Sequence, residues 1–146
     1  MEADERKSDA SGHADAGLWM VVAIIQPFRL DAHTLAVEAI PGVSGMTVSP
    51  CRGFGHEKLA DATRGGDESL ERPGQPRRRS TDRGVVDFTE KVKLEIAVAG
   101  HERADAIIAA IARTAHTGRR GDGKVFAWPI THALRVRTFD VGASAL

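Results

Sequence analysis

The 146-residue sequence predicts an α+β fold in which two helices cover one face of an antiparallel sheet. A nearly continuous run of apolar, β-branched residues lies near the start of the chain. A long stretch in the middle alternates apolar and polar residues, and a helical repeat of apolar residues follows it directly. These three observations predict alternating strands and helices in a single small domain.

The first half of the chain predicts a strand, a helix and an extended segment. Residues 19–25 read WMVVAII, which is typical of a strand covered on both faces. Asp31 is the expected N-cap of a helix over residues 32–40, and Pro41-Gly42 is expected to end it. The apolar side of this helix is expected to carry Leu35, Ala36, Ala39 and Ile40. Residues 43–54 are expected to be extended.

The second half predicts a strand, a helix and two short strands. Even positions of residues 86–98 are mostly apolar, which indicates a strand with one wet face. Residues 104–115 carry apolar residues at helical spacing, and Gly118 is the expected C-cap glycine. The short strands are expected at 124–128 and 134–138. The order β-α-β-β-α-β with one extra strand is the split βαβ, or ferredoxin-like, arrangement. Its open sheet face predicts an oligomer.

Two segments lack the apolar residues needed to pack. Residues 1–17 contain five acidic and two basic side chains, which predicts a disordered N-terminal tail. Residues 56–84 contain seven basic and six acidic residues, four glycines and two prolines, which predicts a long solvated loop. One domain over residues 18–146 remains.

Composition excludes several classes of protein. The 20 basic and 20 acidic residues balance, which argues against a nucleic-acid binder. Cys51 is the single cysteine, so no intrachain disulfide can form. No apolar run reaches the ~20 residues of a membrane span, and the polar first residues do not resemble a secretory signal. We therefore expect a cytoplasmic protein.

Residues 117–124, with the sequence TGRRGDGK, form the most informative segment. Three glycines allow backbone amides to form a concave anion site, and Lys124 adds a positive charge. Arg135 and Arg137 are two apart on a predicted strand and would share one face, as a polyphosphate site requires. Residues 118–124 also fit the start of a Walker A loop, but Val125 replaces the Mg²⁺-binding hydroxyl. A simple surface turn is the plainer alternative.

Several stretches together resemble the PII signal-transduction family of nitrogen regulation. They are VVAIIQPFRLD (21–31), GVSGMTVSPCRGFG (42–55), VVDFTEKVKLEI (85–96), RTAHTGRRGDGKVF (113–126) and LRVRT (134–138). The resemblance implies a compact homotrimer with ATP or ADP in the clefts between subunits. It also implies a T-loop, residues 56–84, between the second and third strands. This loop changes shape with the bound nucleotide and docks on a transporter or a regulatory enzyme, so any membrane contact would come through that partner.

The resemblance also implies roles for individual residues. Residues 117–124 correspond to the phosphate-binding B-loop, and residues 139–146 form the C-terminal segment. Thr47 lies on the strand that lines the nucleotide cleft in relatives. The nucleotide site is expected to comprise Thr47, Gly53, Phe54, Gly55, Gly118, Gly121, Asp122, Gly123, Lys124, Arg135 and Arg137.

This sequence departs from the family pattern in the loop. Glu57 replaces a glutamine that helps hold Mg²⁺ and 2-oxoglutarate in relatives. It can ligate Mg²⁺, but its charge would repel a dicarboxylate unless the metal neutralised it. Lys91 keeps the 2-oxoglutarate-binding lysine. The loop is longer than usual, and with no tyrosine in the chain uridylylation cannot occur. Ser80 follows three arginines and is a weak candidate for phosphorylation.

We expect a regulator that acts without catalysis. Three alternatives stay open at this point. The first is a divergent relative that serves a bicarbonate or metal-efflux system without sensing 2-oxoglutarate. The second is a weak ATPase, and the third is a trimeric scaffold that binds no ligand.

Overall fold

The structure is a computed structural model that describes residues 17–55 and 88–146. These residues form a four-stranded antiparallel sheet, in the order β2-β3-β1-β4, and two α-helices. The elements are β1 (Leu18–Ile25), α1 (Leu30–Glu38), β2 (Thr47–Gly53), β3 (Thr89–Ala99), α2 (His101–Ala115) and β4 (Gly123–Ile130). Short 3₁₀ turns cover Pro27–Arg29 and Gly142–Ala145. The predicted ferredoxin-like α+β fold is confirmed.

The hydrophobic core lies between the helices and one face of the sheet. β1 is central and pairs with both β3 and β4, so Val21 lies opposite Ile96 on one side and Ala127 on the other. Val21 and Ile96 are fully buried together with Ile107 of α2. The alternation predicted for β3 is confirmed, because its even positions from 92 to 98 are buried and the positions between them are only half-buried.

The opposite face of the sheet carries large apolar side chains that stay accessible. Phe126 and Trp128 lie opposite Val22 and Met20 of β1, on the side away from the helices. Their side chains are 50% and 45% exposed. Burial of large aromatic side chains is favourable, so this face can gain stability by association. The open face predicted from the sequence is therefore present.

The helix α1 differs from its prediction in where it begins and in which side chains face the core. Pro27 begins a 3₁₀ turn that leads directly into the helix at Leu30, because its fixed φ suits the first helical turn. Asp31 therefore lies within the first turn of the helix, and the prediction that it is the N-cap is wrong. The buried side chains are His33 and Val37, whereas Leu35 is 69% exposed. Of the predicted apolar side, Ile40 packs against the core, but Leu35 and Ala39 are exposed, so that prediction is wrong in part.

The predicted strand over residues 134–138 is absent. The Arg135 carbonyl accepts hydrogen bonds from the amides of Thr138 and Phe139, at 3.3 and 2.8 Å, which closes a turn. Phe139 has a positive φ of 60°, and one isolated bridge joins Leu134 to Val141. This turn reverses the chain before a strand can extend. Arg135 is consequently half-buried and Arg137 exposed, so the expected pair on one strand face does not form.

Gly118 is not the C-cap of α2. The helix ends at Ala115, and His116 is the C-cap in an extended conformation, with its amide bonded to Ala112. Gly118 lies two residues further on, within the glycine turn.

Three further predictions fall outside the described residues. They are the tail, except for Gly17, the loop over 56–84, and the roles of Glu57 and Ser80 within that loop. Among the residues that the structure does describe, no helix is long and apolar enough to cross a membrane.

Candidate functional site

The turn between α2 and β4 has a backbone that only glycine adopts readily. Gly118, Gly121 and Gly123 have φ values of 75°, 89° and 129°. Gly123 also forms the first pair of β4 with β1, and a Cβ there would lie 2.2 Å from the carbonyl oxygen of Ile24. The backbone at Gly123 therefore lies so close to β1 that only glycine fits there. This pairing places the turn, residues 117–122, at the end of β1.

The carboxylate of Asp122 organises this turn from within. It accepts hydrogen bonds from the Thr117 amide at 2.7 Å, from the Thr117 hydroxyl at 2.5 Å and from the Gly118 amide at 3.0 Å. These donors, the Thr117 hydroxyl above all, lower the pKa of Asp122 below its usual value. The geometry gives this aspartate a positioning role, since both of its oxygens face the turn.

Two side chains, one just after β1 and one on β3, hold the turn through one backbone oxygen. The carbonyl of Gly121 accepts hydrogen bonds from Gln26 Nε2 at 2.7 Å and from Lys91 Nζ at 3.1 Å. Lys91, expected as an effector residue, is thus a neighbour of the turn. Gln26 is not among the site residues that the sequence predicts; its position as the polar residue between an apolar strand and Pro27 is the available signal.

Lys124 follows the turn as the second residue of β4 and is exposed. It lies opposite Ile24 on the open face of the sheet. Within residues 17–55 and 88–146, its ammonium group has no hydrogen bond or ion pair. A cation beside a glycine-rich turn is the arrangement that binds phosphate groups in proteins.

A cavity of about 530 Å³ lies beside Thr47. Thr47 pairs with Glu95 across β2 and β3, so the cavity opens on the same face of the sheet as Lys124. Met20, Ala97 and Leu146 give it apolar walls, and Ser44 adds a hydroxyl group. Such a mixed lining suits a flat, partly apolar group with polar edges.

The two predicted arginines lie apart from the glycine turn. Arg135 donates hydrogen bonds to Leu146 O at 2.7 Å and to Ala145 O at 3.3 Å, and both of these residues line the cavity beside Thr47. Arg137 is exposed. One chain therefore holds the turn with Lys124 at one place and the cavity with Arg135 at another.

The start of the predicted T-loop is held by short contacts. Thr89 Oγ1 donates a hydrogen bond to the carbonyl of Gly53 at 3.0 Å, and the rings of Phe54 and Phe88 meet edge to face at 5.1 Å. The described residues on either side of 56–87 thus lie next to each other. Gly55 is exposed at this junction.

Metal ligands do not cluster in the described part of the chain. Among residues 17–55 and 88–146, no group of three His, Cys, Asp or Glu side chains could hold a metal ion. The donors expected for Mg²⁺ would have to include Glu57, which lies outside these residues, and the oxygens of a bound phosphate.

The sequence matches the family model described as nitrogen regulatory protein P-II over residues 18–140. It is 39% identical over 127 residues to the nitrogen regulatory protein P-II of Rhizobium etli, an alignment that covers 87% of this chain and 98% of that protein. For the protein of the same name from Azospirillum brasilense, identity is 37% over 126 residues, with 86% and 97% covered.

Solved structures have the same fold. The crystal structure of Arabidopsis thaliana PII bound to citrate is 31% identical with a TM-score of 0.63, covering 94% of this chain and 99% of that one. The structure of the Bacillus subtilis GlnK–ATP complex has a TM-score of 0.64 at 23% identity, covering 90% and 99%, and supports the fold alone. The fold and the sequence match together place the chain in a class of regulatory signal-transduction proteins. The chain belongs to the nitrogen regulatory protein P-II family, and the resemblance recognised in its motifs is confirmed.

Proposed function

We propose that this protein is a cytoplasmic PII-type regulator that binds ATP or ADP between the subunits of a homotrimer. It controls a transporter or a regulatory enzyme in nitrogen regulation through its T-loop, residues 56–84. The observation that carries the proposal is the rigid glycine turn next to the exposed ammonium group of Lys124. We assign no catalytic residue to it.

The separation of the two half-sites supports a cleft between subunits. The glycine turn and Lys124 fit the phosphates, whereas the cavity beside Thr47 has the mixed lining that suits a base. These two places share no lining residue within one chain. Association through the open sheet face would bring the turn of one subunit towards the cavity of the next, and it would cover Phe126 and Trp128.

A chain of contacts offers a route from the nucleotide to the T-loop. Lys91 bonds the turn through Gly121 and lies two residues after Thr89, which bonds Gly53 at the start of the loop segment. A ligand that draws Lys91 away from Gly121 would act on β3 at the base of the loop. ATP and ADP can then favour different loop conformations, provided that each binds those conformations with different affinity.

One observation favours the divergent form of this function, which lacks a response to 2-oxoglutarate. Lys91 already donates a hydrogen bond to the carbonyl of Gly121, and Glu57 places a negative charge where the resemblance implies a glutamine. A dicarboxylate would have to displace the first interaction and overcome repulsion from the second. A regulator of a bicarbonate or metal-efflux transporter fits this pattern.

Titration calorimetry with ATP, ADP and AMP tests the nucleotide site, with 2-oxoglutarate and bicarbonate added in separate arms. We expect saturable heat with ATP and ADP. Lys124→Met should weaken both by about tenfold or more, since a charge-assisted contact to phosphate is lost. Arg113→Met, which removes an exposed arginine at the end of α2, is the matched control and should leave affinity unchanged.

The outcomes separate the alternatives. Absence of heat with every nucleotide would leave the ligand-free scaffold. Heat with ATP but no further effect of 2-oxoglutarate would support the divergent regulator. Steady release of ADP and phosphate that Lys124→Met abolishes would instead support the weak ATPase. Sedimentation equilibrium, with Phe126→Asp as the disrupting variant, tests the homotrimer independently of any ligand.

A further inference from the structure

Three arginines that the nucleotide site does not use meet around a second cavity. It has a volume of about 420 Å³ and lies between the glycine turn and the residues that follow β1. Arg29 reaches it from the 3₁₀ turn before α1, and Arg119 and Arg120 reach it from the glycine turn. Lys124 is not among the lining residues. Segments distant in the sequence therefore bring like charges to one concave surface.

Two of these arginines, Arg29 and Arg119, are not paired with the acidic residue that lines the cavity. Asp122 is the acidic residue in the lining, and its oxygens already accept hydrogen bonds from Thr117 and Gly118. Among the described residues, neither Arg29 nor Arg119 has a carboxylate partner. Guanidinium groups held close together are stabilised by an anion that accepts hydrogen bonds from more than one of them.

An aromatic ring stands beside these charges. Phe28 lines the cavity, and its side chain is 78% exposed. The guanidinium carbon of Arg29 lies 5.7 Å from the centre of the Phe28 ring, a distance typical of a cation–π contact. The exposed ring offers a flat apolar surface next to the positive charges, where an apolar part of a ligand can pack.

We propose that this cavity binds a small organic anion, namely a phosphate or carboxylate group attached to a flat apolar group. The anionic end lies between Arg29 and Arg119, and the apolar end packs on Phe28. Cavities of several hundred Å³ that combine apolar walls with a few charged groups are typical small-molecule sites. The cavity shares the glycine turn, including Asp122, with the nucleotide site, but Lys124 and the cavity beside Thr47 take no part, so the two kinds of binding can be tested separately.

Phenyl phosphate is the probe, and inorganic phosphate is the comparison ligand. Titration calorimetry should show saturable binding of phenyl phosphate to the full chain, at least about fivefold tighter than inorganic phosphate, because the ring packs on Phe28. Arginine Nε–Hε signals of Arg29 and Arg119, followed by NMR, should shift on titration. Absence of saturable binding at tens of millimolar would overturn the proposal, and so would equal affinity for the two ligands.

Four variants assign the binding to this cavity. Arg119→Gln should weaken phenyl phosphate by about tenfold, and Phe28→Ala should bring its affinity close to that of inorganic phosphate. Arg113→Gln, an exposed arginine on α2 outside the cavity, is the matched control and should change affinity less than about twofold. Lys124→Met should also change it by less than about twofold. Binding that survives Arg119→Gln but is lost in Lys124→Met would place the ligand at the nucleotide site and contradict the proposal.

Discussion

Lys91 Nζ lies 3.1 Å from the carbonyl oxygen of Gly121, and this hydrogen bond joins the third strand to the glycine turn. Gln26 Nε2 donates to the same oxygen at 2.7 Å from the end of β1. Either donor alone satisfies the carbonyl, so the turn is held in place by two interchangeable hydrogen bonds. This redundancy leaves Lys91 able to exchange its partner for an anion.

The double substitution at Gln26 and Lys91 tests this redundancy. Lys91→Met alone should lower the free energy of unfolding by less than about 1 kcal/mol, because Gln26 still bonds Gly121. Gln26→Leu together with Lys91→Met should cost more than the sum of the single changes, since only the double variant removes both side-chain donors. Urea denaturation of the four proteins measures the coupling. Strictly additive losses would show that the two donors do not share the carbonyl.

Substitution of Gly123 should disrupt the turn much more than substitution of Gly118. A Cβ at Gly123 would lie 2.2 Å from Ile24 O on a backbone with φ of 129°, so Gly123→Ala should cost at least about 3 kcal/mol. Gly118 has φ of 75°, and a Cβ added there would meet no atom within 4 Å, so Gly118→Ala should cost about 1 kcal/mol. Thermal unfolding compares the two variants. A smaller effect at Gly123 would mean that β4 can begin one residue later.

The turn should stay ordered into acid and then loosen as Asp122 is protonated. Hydrogen bonds from Thr117 lower the pKa of Asp122, so its contribution to stability is present above the pKa of the unfolded chain. That contribution is lost as the pH falls through the lower pKa of the folded protein. The Gly118 amide signal, followed by NMR, should therefore titrate at a pH below the usual aspartate range.

Thr117→Val is the matched variant for this titration. It removes the hydroxyl donor, which is the largest cause of the shift, but keeps the backbone amides. The midpoint should move upwards, towards the usual aspartate range. An unchanged midpoint would exclude the Thr117 hydroxyl as the cause.

His33 should limit stability at mildly acidic pH. Its side chain is 0% exposed, and neither ring nitrogen has a hydrogen-bond partner among the described residues. Burial, and then repulsion from Arg29, lower its pKa in the folded protein. As the pH falls below the pKa of the unfolded chain, the unfolded state binds the proton first. Stability therefore falls from about pH 6.5 downwards.

His33→Leu removes the two buried ring nitrogens that lack a hydrogen-bond partner within the part of the chain that the structure describes. It also removes the proton uptake by the unfolded state. It should raise the free energy of unfolding by about 1 kcal/mol or more at neutral pH, and by a larger amount at pH 5. His132→Leu, at an exposed position, is the control and should do neither. Urea denaturation at both pH values measures the difference. A variant that is less stable at both would indicate a polar partner for His33.

The sequence predicts those elements in which burial follows a simple period. The alternation in β3 is unambiguous, because Leu94 and Ile96 face the core while Lys93 and Glu95 form an ion pair on the other face. The glycine turn can be predicted equally well from the sequence, since few residues other than glycine adopt its backbone conformation. Its role in binding phosphate rests on the residue types and on family resemblance, and it stays a prediction.

The remaining errors have two causes: a local turn in one place, and a contact distant in the sequence in the other. The alternation of Leu134 and Val136 with arginines predicts a strand around Arg135, but five residues are too few to outweigh the local turn at Phe139. In α1 the orientation is set by packing on α2, which buries His33 and leaves Leu35 outside. Leu35 is more apolar than His33, so the sequence favours its burial. The composition of α1 alone does not indicate where α2 packs against it.

The half-exposed Trp128 has a practical consequence for anyone who studies this protein. The chain contains two tryptophans, and Trp19 packs against the core while Trp128 lies on the open sheet face. Indole emission shifts to shorter wavelength when the ring leaves water. Fluorescence from an unlabelled sample, recorded across a dilution series, can therefore report whether that face is covered.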